Sequence, residues 1–277
     1  MSNRPAQRPM APSPAHRLLR FFEPIGSFGL RGVDNFGAAT LFFFRSLAMV
    51  FQRDQWAAVF EQIYFIGART MGIIVLVAAF TGMVMGLQLH YTLAKFGSEG
   101  ALGTAIGLAL VRELGPVLTA IMITARAGSA MAAEIGIQRI SEQIDALYTM
   151  RIDPLAYLVS PRVAAALISF PLLTALFDVV GIAGGYLSGV VLVGSDTGAY
   201  YHRLTDSMQT IDVMGGFVKS LIFAVIVVTV CCFHGFYTHM RKDGRGARGV
   251  SLATTDAVVR SCVFILIADY LITSFLL

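Results

Sequence analysis

Two long stretches of this chain contain no charged residue, and they constrain its fold more than any other feature. Residues 70–94 and 220–240 lack Asp, Glu, Lys and Arg, and about 20 apolar residues are enough to cross the hydrocarbon core of a bilayer. Three further apolar stretches carry only one or two charges each. The pattern predicts an all-α integral membrane protein with five transmembrane helices, near 70–94, 100–125, 163–195, 217–240 and 261–277.

Overall composition excludes a soluble enzyme. Of the 277 residues, 56% are hydrophobic and only 14% are charged, whereas soluble domains have roughly 45–50% apolar and about 25% charged residues. The chain has too little charge to cover the surface of a globule of its size. The apolar excess falls in blocks of transmembrane length.

The first 55 residues differ from the rest. Residues 1–35 begin with a Pro- and Arg-rich run that has no apolar h-region, so the run is not a signal peptide; it predicts a cytoplasmic tail that is disordered at its start. Residues 36–55 predict an interfacial helix, because the apolar run Phe36 to Phe51 has Arg45 in its middle. A sixth full span is the alternative for this segment. Residues 36–277 form one membrane domain.

The distribution of Lys and Arg predicts the orientation. With the N-terminus inside, residues 1–69 hold eight, residues 126–162 four and residues 241–260 five, whereas the opposite side has three, Lys95, Arg203 and Lys219. Cytoplasmic segments of membrane proteins carry this kind of excess. We expect a multi-pass membrane protein with its N-terminus in the cytoplasm and its C-terminus on the opposite side of the membrane.

Neither ATP hydrolysis nor metal chemistry is expected of this chain. A P-loop needs a Gly-Lys pair, and the three lysines follow Ala94, Val218 and Arg241. Any ATP must therefore be hydrolysed by another chain. The cysteines and histidines have no metal-ligand spacing, so we expect no catalytic residue, no metal and no cofactor bound by this chain.

Four charged residues fall near the middle of predicted spans: Arg112, Glu113, Asp178 and Asp269. A charge at the bilayer centre costs about 2.5–3.5 kcal/mol even on the lenient insertion scale, so these side chains should not face lipid. They either form internal pairs that only stabilise the bundle or line a polar patch in a cavity.

Glycine pairs four residues apart recur in the spans, and such pairs let helix backbones approach closely in lipid. Packing within the chain and an oligomer interface both explain them. The pairs are Gly82 with Gly86, Gly103 with Gly107, Gly181 with Gly185, and Gly185 with Gly189.

The longest predicted cytoplasmic connection contains a short amphipathic helix at 138–150. Ile140, Ile144 and Leu147 recur on one face, and Asp153-Pro154 ends the helix. A free helix of this length is marginal in water, so it should dock on a partner. Its acidic residues disfavour an anionic bilayer and favour a protein.

Several motifs resemble the MlaE family of ABC-transporter permeases, in order and at similar spacing over roughly residues 36–277. The resemblance is carried by Arg112-Glu113-Leu114-Gly115-Pro116-Val117, Gly128-Ser129-Ala130, Ala133-Glu134-Ile135-Gly136, Glu142-Gln143-Ile144-Asp145-Ala146-Leu147, Asp153-Pro154, Ser160-Pro161-Arg162, Gly86-Leu87-Gln88 and Lys219-Ser220.

The resemblance implies a homodimeric permease that moves phospholipid between the inner membrane and the periplasm and outer membrane, maintaining the lipid asymmetry of the outer membrane. It also implies partners: a cytoplasmic MlaF-like ATPase that binds ATP and Mg²⁺, an MlaB-like STAS protein and an MlaD-like hexamer of MCE domains. No nucleic-acid partner is expected.

The resemblance also implies roles for individual residues. Lipid-binding candidates are Arg112, Glu113, Lys219 and Gln88; candidates for coupling to the ATPase, on the 138–150 helix and just after it, are Glu142, Gln143, Asp145 and Arg151. Arg151 departs from the family pattern, which often has a small residue there.

Three other functions remain open from the residues alone. A proton-coupled secondary transporter would use Glu113, Asp178 and Asp269 as a relay, and an uncoupler would stop its transport. A membrane-embedded enzyme lacks a nucleophile and base at usable spacing. A scaffold that only anchors partners would leave the charges inside the membrane without a use.

Overall fold

The computed structural model describes residues 37, 40–45, 56–240 and 246–276. The chain divides into two units, Met1–Leu41 and Phe42–Leu277, and the helices that form the membrane domain belong to the second. Residues 40–45 are helical. The predicted tail at 1–35 and most of the predicted interfacial helix at 36–55 lie outside the described residues.

Seven helices make up most of the described chain, and five of them are long and apolar enough to cross a membrane. The all-α fold with five spans is therefore confirmed, and the described residues contain no strand. The five long helices are α1 (Trp56–Ala94), α2 (Glu99–Ile140), α4 (Leu155–Leu192), α6 (Thr210–Phe236) and α7 (Ala247–Leu276); the short ones are α3 (Gln143–Thr149) and α5 (Thr197–Ser207).

Several helices extend well beyond the predicted spans. The 42 residues of α2 correspond to about 63 Å at 1.5 Å per residue, twice the hydrocarbon thickness of roughly 30 Å. A search for stretches without charged residues finds only the part of a helix that must lie in the hydrocarbon core. Hydrogen bonding along the backbone then continues the same helix into the aqueous region.

The predicted helix at 138–150 is broken, which corrects its N-terminal boundary. α2 ends at Ile140 and α3 begins at Gln143. Between them Ser141 Oγ donates to the Ile137 carbonyl at 2.8 Å, and Glu142 adopts a left-handed φ of 61°. Glycine usually marks such a helix end. Because Glu142 takes that place here, no residue type in the sequence marks the break.

Glycines hold α1 and α4 in close contact within one chain. A Cβ on Gly82 would overlap the Gly181 carbonyl, and one on Gly86 would overlap the Ser188 side chain. Gly103 lies in the same way against the backbone of Tyr200 on α5. The glycine pairs therefore serve packing between helices of the same chain.

The described residues contain five single turns of π-helix: three interrupt α1 and α2, and two form the ends of α4. A π turn bonds i to i+5, so one carbonyl is skipped where normal α spacing resumes. At the first of these turns, Tyr64–Ala68, the Phe65 carbonyl accepts from Arg126 Nη1 of α2 at 3.2 Å. Arg126 thereby connects α1 with α2.

We predict that Gly82→Ala destabilises the protein by about 1–3 kcal/mol, because the added methyl group forces α1 away from α4. Gly72→Ala on the same helix is the matched control, since a Cβ there meets nothing within 4 Å. Thermal unfolding in detergent measures both variants. Equal melting temperatures for the two would contradict the close approach of α1 and α4.

Candidate functional site

A cavity of about 410 Å³ opens between α2, α6 and α7. Such a volume lies in the range of small-molecule sites, about 300–1,000 Å³. One part of the wall is apolar, formed by Leu108, Ala109 and Ile211, and another part is polar. The polar lining consists of Arg112, Glu113, Asp212, Lys219 and Thr273.

The backbone at Arg112 and Glu113 is unusual, because both residues lie in the π turn Leu110–Leu114. Pro116 comes next, at the start of the adjoining α-helical segment, and it has no N–H to donate to the carbonyl four residues earlier. That carbonyl belongs to Arg112, and Lys219 Nζ donates to it at 2.8 Å. A proline in α2 thus creates an acceptor for a lysine of α6.

Lys219 is the centre of the polar cluster, with only 2% of its side chain exposed. Besides the Arg112 carbonyl, its ammonium donates to Glu113 Oε2 and Thr273 Oγ1, both at 2.7 Å, which uses all three N–H bonds. Asp269 Oδ1 lies 3.0 Å away as a fourth, purely ionic partner. Lys219 therefore joins α6 to α2 and α7.

Arg112 forms a second ion pair, with Asp212. Both Nε and Nη2 of Arg112 lie 2.7 Å from Asp212 Oδ1. The other carboxylate oxygen accepts from the backbone N–H of Gln209 at 3.0 Å, as part of the capping box that begins α6. The start of α6 is thus fixed to the middle of α2.

The cluster has two cations and three carboxylates, and they are unequally accessible. The side chains of Arg112 and Glu113 are 45% and 40% exposed, whereas Lys219 is buried. Arg112 and Glu113 can therefore meet a ligand in the cavity, with Lys219 holding Glu113 in position. Such a site can bind a molecule with a polar, ionic end and an apolar body.

Three of the four predicted lipid-site residues, Arg112, Glu113 and Lys219, meet at this cavity. Gln88 lies apart from them, exposed on α1. Asp178, on α4, lies against Gly115, and its buried Oδ1 has no hydrogen-bond partner among the described residues.

Sequence reasoning missed Asp212 and Thr273. Asp212 comes three residues after Gln209, which is the spacing of a capping box, so the start of α6 was predictable. Thr273 carried no signal, because a hydroxyl in an apolar span is commonplace. Only the packing of α7 against α2 reveals that Thr273 Oγ1 donates to Glu113 Oε1 at 3.0 Å.

The predicted coupling residues lie together at and around α3. Glu142, Gln143 and Arg151 are exposed, and Asp145, 57% exposed, accepts from Arg139 at 2.7 Å. Arg151 has a left-handed φ of 60°. Glycine, which has no β-carbon, adopts this conformation most easily, so Arg151 occupies a backbone position that favours glycine.

The comparison with known proteins decides the family. The family described as Permease MlaE matches residues 59–275, a stretch that includes the whole cavity. The chain belongs to the MlaE permease family.

Individual MlaE relatives agree with this assignment. A probable ABC transporter permease protein of Rickettsia felis is 37% identical, over 92% of this chain and 97% of the relative. The intermembrane phospholipid transport system permease protein MlaE of Haemophilus influenzae is 38% identical, over 80% of this chain and 84% of the relative. The chloroplastic protein TRIGALACTOSYLDIACYLGLYCEROL 1 of Arabidopsis thaliana is 34% identical, over 79% of this chain and 61% of the relative.

The alternative of a proton relay through Glu113, Asp178 and Asp269 is not supported. The Rickettsia felis relative is described as a probable ABC transporter permease protein, and the Haemophilus influenzae relative as the permease of a phospholipid transport system. Within the described residues, Glu113 and Asp269 meet at Lys219, whereas Asp178 lies against Gly115 and has no hydrogen bond to that cluster.

We predict that Lys219→Met destabilises the permease by about 1–3 kcal/mol, because it leaves the half-exposed Glu113 and the largely buried Asp269 without their cation. Lys95→Met is the control, since Lys95 is exposed and surface substitutions stay within about 0.5 kcal/mol. The double variant Lys219→Met/Glu113→Gln should recover part of the loss. Thermal unfolding in detergent measures all three, and a Lys219→Met protein as stable as the control would refute the central role of Lys219.

Proposed function

We propose that this chain is the permease subunit of an ABC transporter that moves phospholipid between the bacterial inner membrane and the periplasm and outer membrane, and so maintains outer-membrane lipid asymmetry. Membership of the MlaE family and the name of the Haemophilus influenzae relative support the substrate. The observation that carries the proposal for this chain is the cavity, where a cluster of ion pairs adjoins an apolar wall among membrane-spanning helices.

Arg112 and Glu113 form the polar end of the proposed lipid site. A phospholipid headgroup carries a phosphate, and arginine binds phosphate through a planar fork of N–H donors. Arg112 directs only Nε and Nη2 at Asp212, which leaves Nη1 for such a contact. The acyl chains would lie along Leu108 and Ile211 on the apolar wall.

ATP and Mg²⁺ bind to a separate ATPase in this proposal. The exposed side chains Glu142, Gln143 and Arg151 beside α3 form the polar surface that meets it. Two copies of the permease, two ATPases, an MlaB-like STAS protein and an MlaD-like hexamer make up the complex. The permease lies in the bacterial inner membrane, with its N-terminus on the cytoplasmic side and its C-terminus on the periplasmic side.

The proposed mechanism transmits ATP-driven closure of the ATPase pair through α3. The movement changes the spacing of the two permease copies and drives the lipid from the cavity towards the periplasmic partner. The ion pairs of Lys219 and Asp212 connect α2, α6 and α7. A shift of any one of these helices therefore alters the cavity wall.

We predict that Glu113→Ala lowers lipid transport about tenfold or more, because a hydrogen bond to a charged group contributes about 1.5–3 kcal/mol. Assembly with the ATPase should stay intact. Glu99→Ala, an exposed acidic residue of the same helix, is the control. Transfer of labelled phospholipid from proteoliposomes measures both, and a fully active Glu113→Ala protein would remove this residue from the site.

We predict that the double variant Glu142→Lys/Gln143→Lys loses co-purification with the ATPase, because it adds three units of positive charge to the exposed surface at α3. The matched control is Glu61→Lys, an exposed acidic residue on α1. Asp145 is left unchanged because it also binds Arg139. Unaltered co-purification and ATP hydrolysis would show that the ATPase binds elsewhere.

A further inference from the structure

The short helix α3 is held to the rest of the chain by few contacts. Its Ile144 side chain is fully buried. Among the described residues, its single side-chain hydrogen bond to another helix runs from Arg139 Nη1 of α2 to Asp145 Oδ1, at 2.7 Å. The turn at Ser141 and Glu142 separates α3 from the straight course of α2. Besides the peptide connections at its two ends, α3 contacts the rest of the chain through the apolar side chains Ile144 and Leu147 and through Arg139.

Arg139 holds three groups at once. In addition to Asp145, its Nε donates to His239 Nδ1 at 2.9 Å, and its guanidinium carbon lies 5.7 Å from the centre of the Phe236 ring. Only 14% of the side chain is exposed. Burial, and then the charge of Arg139, lower the pKa of His239, so its imidazole is neutral at pH 7 and accepts a hydrogen bond.

The partners of Arg139 mark the end of α6. Phe236 is the last residue of that helix, and His239 lies in the adjoining turn Thr238–Met240. The same helix carries Asp212 and Lys219 of the cavity. Phe236 follows Lys219 by 17 positions, which corresponds to about 26 Å at 1.5 Å per residue. One continuous helix thus connects the Arg139 contacts with the cavity.

We propose that Arg139 is a positioning residue that transmits movement of α3 to α6, and so connects the ATPase to the lipid cavity. This inference rests on the proposed function, in which α3 receives the force of the ATPase. Arginine suits the task because its planar fork holds two partners in fixed directions. Lysine, with one compact ammonium group, cannot hold Asp145 and His239 in the same geometry.

The test compares Arg139→Gln with Arg248→Gln in the complete complex, purified with its native partners and reconstituted in liposomes. Arg248 is an exposed arginine at the start of α7. We expect Arg139→Gln to keep ATPase co-purification and ATP hydrolysis but to move about tenfold less lipid per ATP, the factor that corresponds to one charge-assisted hydrogen bond. Arg248→Gln should match the wild type.

Variants of His239 test whether the contact with Arg139 transmits movement from α3 to α6 or only stabilises the fold. His239→Gln keeps an acceptor for Arg139 and should retain the wild-type ratio of lipid to ATP, whereas His239→Leu should lose it. Arg139→Lys should not rescue the ratio. A wild-type ratio in Arg139→Gln overturns the inference, as does a loss of ATPase binding or a parallel fall of ATP hydrolysis and transport.

A second measurement needs no lipid transport. Met214 is 59% exposed near the cavity end of α6, and a maleimide can label Met214→Cys above the background of the parent protein. Trapping the ATP-bound state should change the labelling rate in Met214→Cys and leave it unchanged in Met214→Cys/Arg139→Gln. Equal changes in both variants, or no change in Met214→Cys, overturn the inference. A Met214→Cys complex that changes labelling, in a protein whose wild-type form moves no lipid, overturns the proposed function alone.

Discussion

A charge inside a membrane must find its partners within the protein, because hydrocarbon offers none. Lys219 meets this requirement with a carbonyl, a hydroxyl and two carboxylates from two other helices. The carbonyl is free because Pro116 cannot donate to it. The arrangement of α2, α6 and α7, and the cavity between them, therefore depends on satisfying one ammonium group.

The spans were predictable because lipid imposes a simple condition on sequence: about 20 residues with almost no charge. Helix ends outside the membrane are not constrained by the thickness of the bilayer. At the break near Glu142, the residue with the left-handed φ is a glutamate and not the usual glycine, so the sequence does not mark it. The resemblance to a family identified Arg112, Glu113 and Lys219 as candidates that converge on the cavity. Thr273 could not be predicted, because its hydrogen bond to Glu113 depends on the packing of α7 against α2.

The two ends of α6 have different characters. At the cavity its side chains form ion pairs with α2 and α7, and at the opposite end the Phe236 ring packs against Arg139. Between them Gly216 and Gly235 lie against the backbone carbonyls of Val111 and Ala132 on α2. The backbones of α6 and α2 are therefore in close contact near both ends of α6.

The π turn at Leu110–Leu114 bears on how this cavity arose. A π turn accommodates one residue more than an α-helical turn, whereas a residue added to an ordinary α-helix rotates everything after it by about 100°. A single-codon insertion that such a turn absorbs therefore redirects the side chains within the turn, here Arg112 and Glu113, and leaves the flanking helix in register. Deletion of one residue here would restore α-helical spacing and turn these ionic groups away from their partners, so the history of the site can be sought in single-residue gaps among distant homologues.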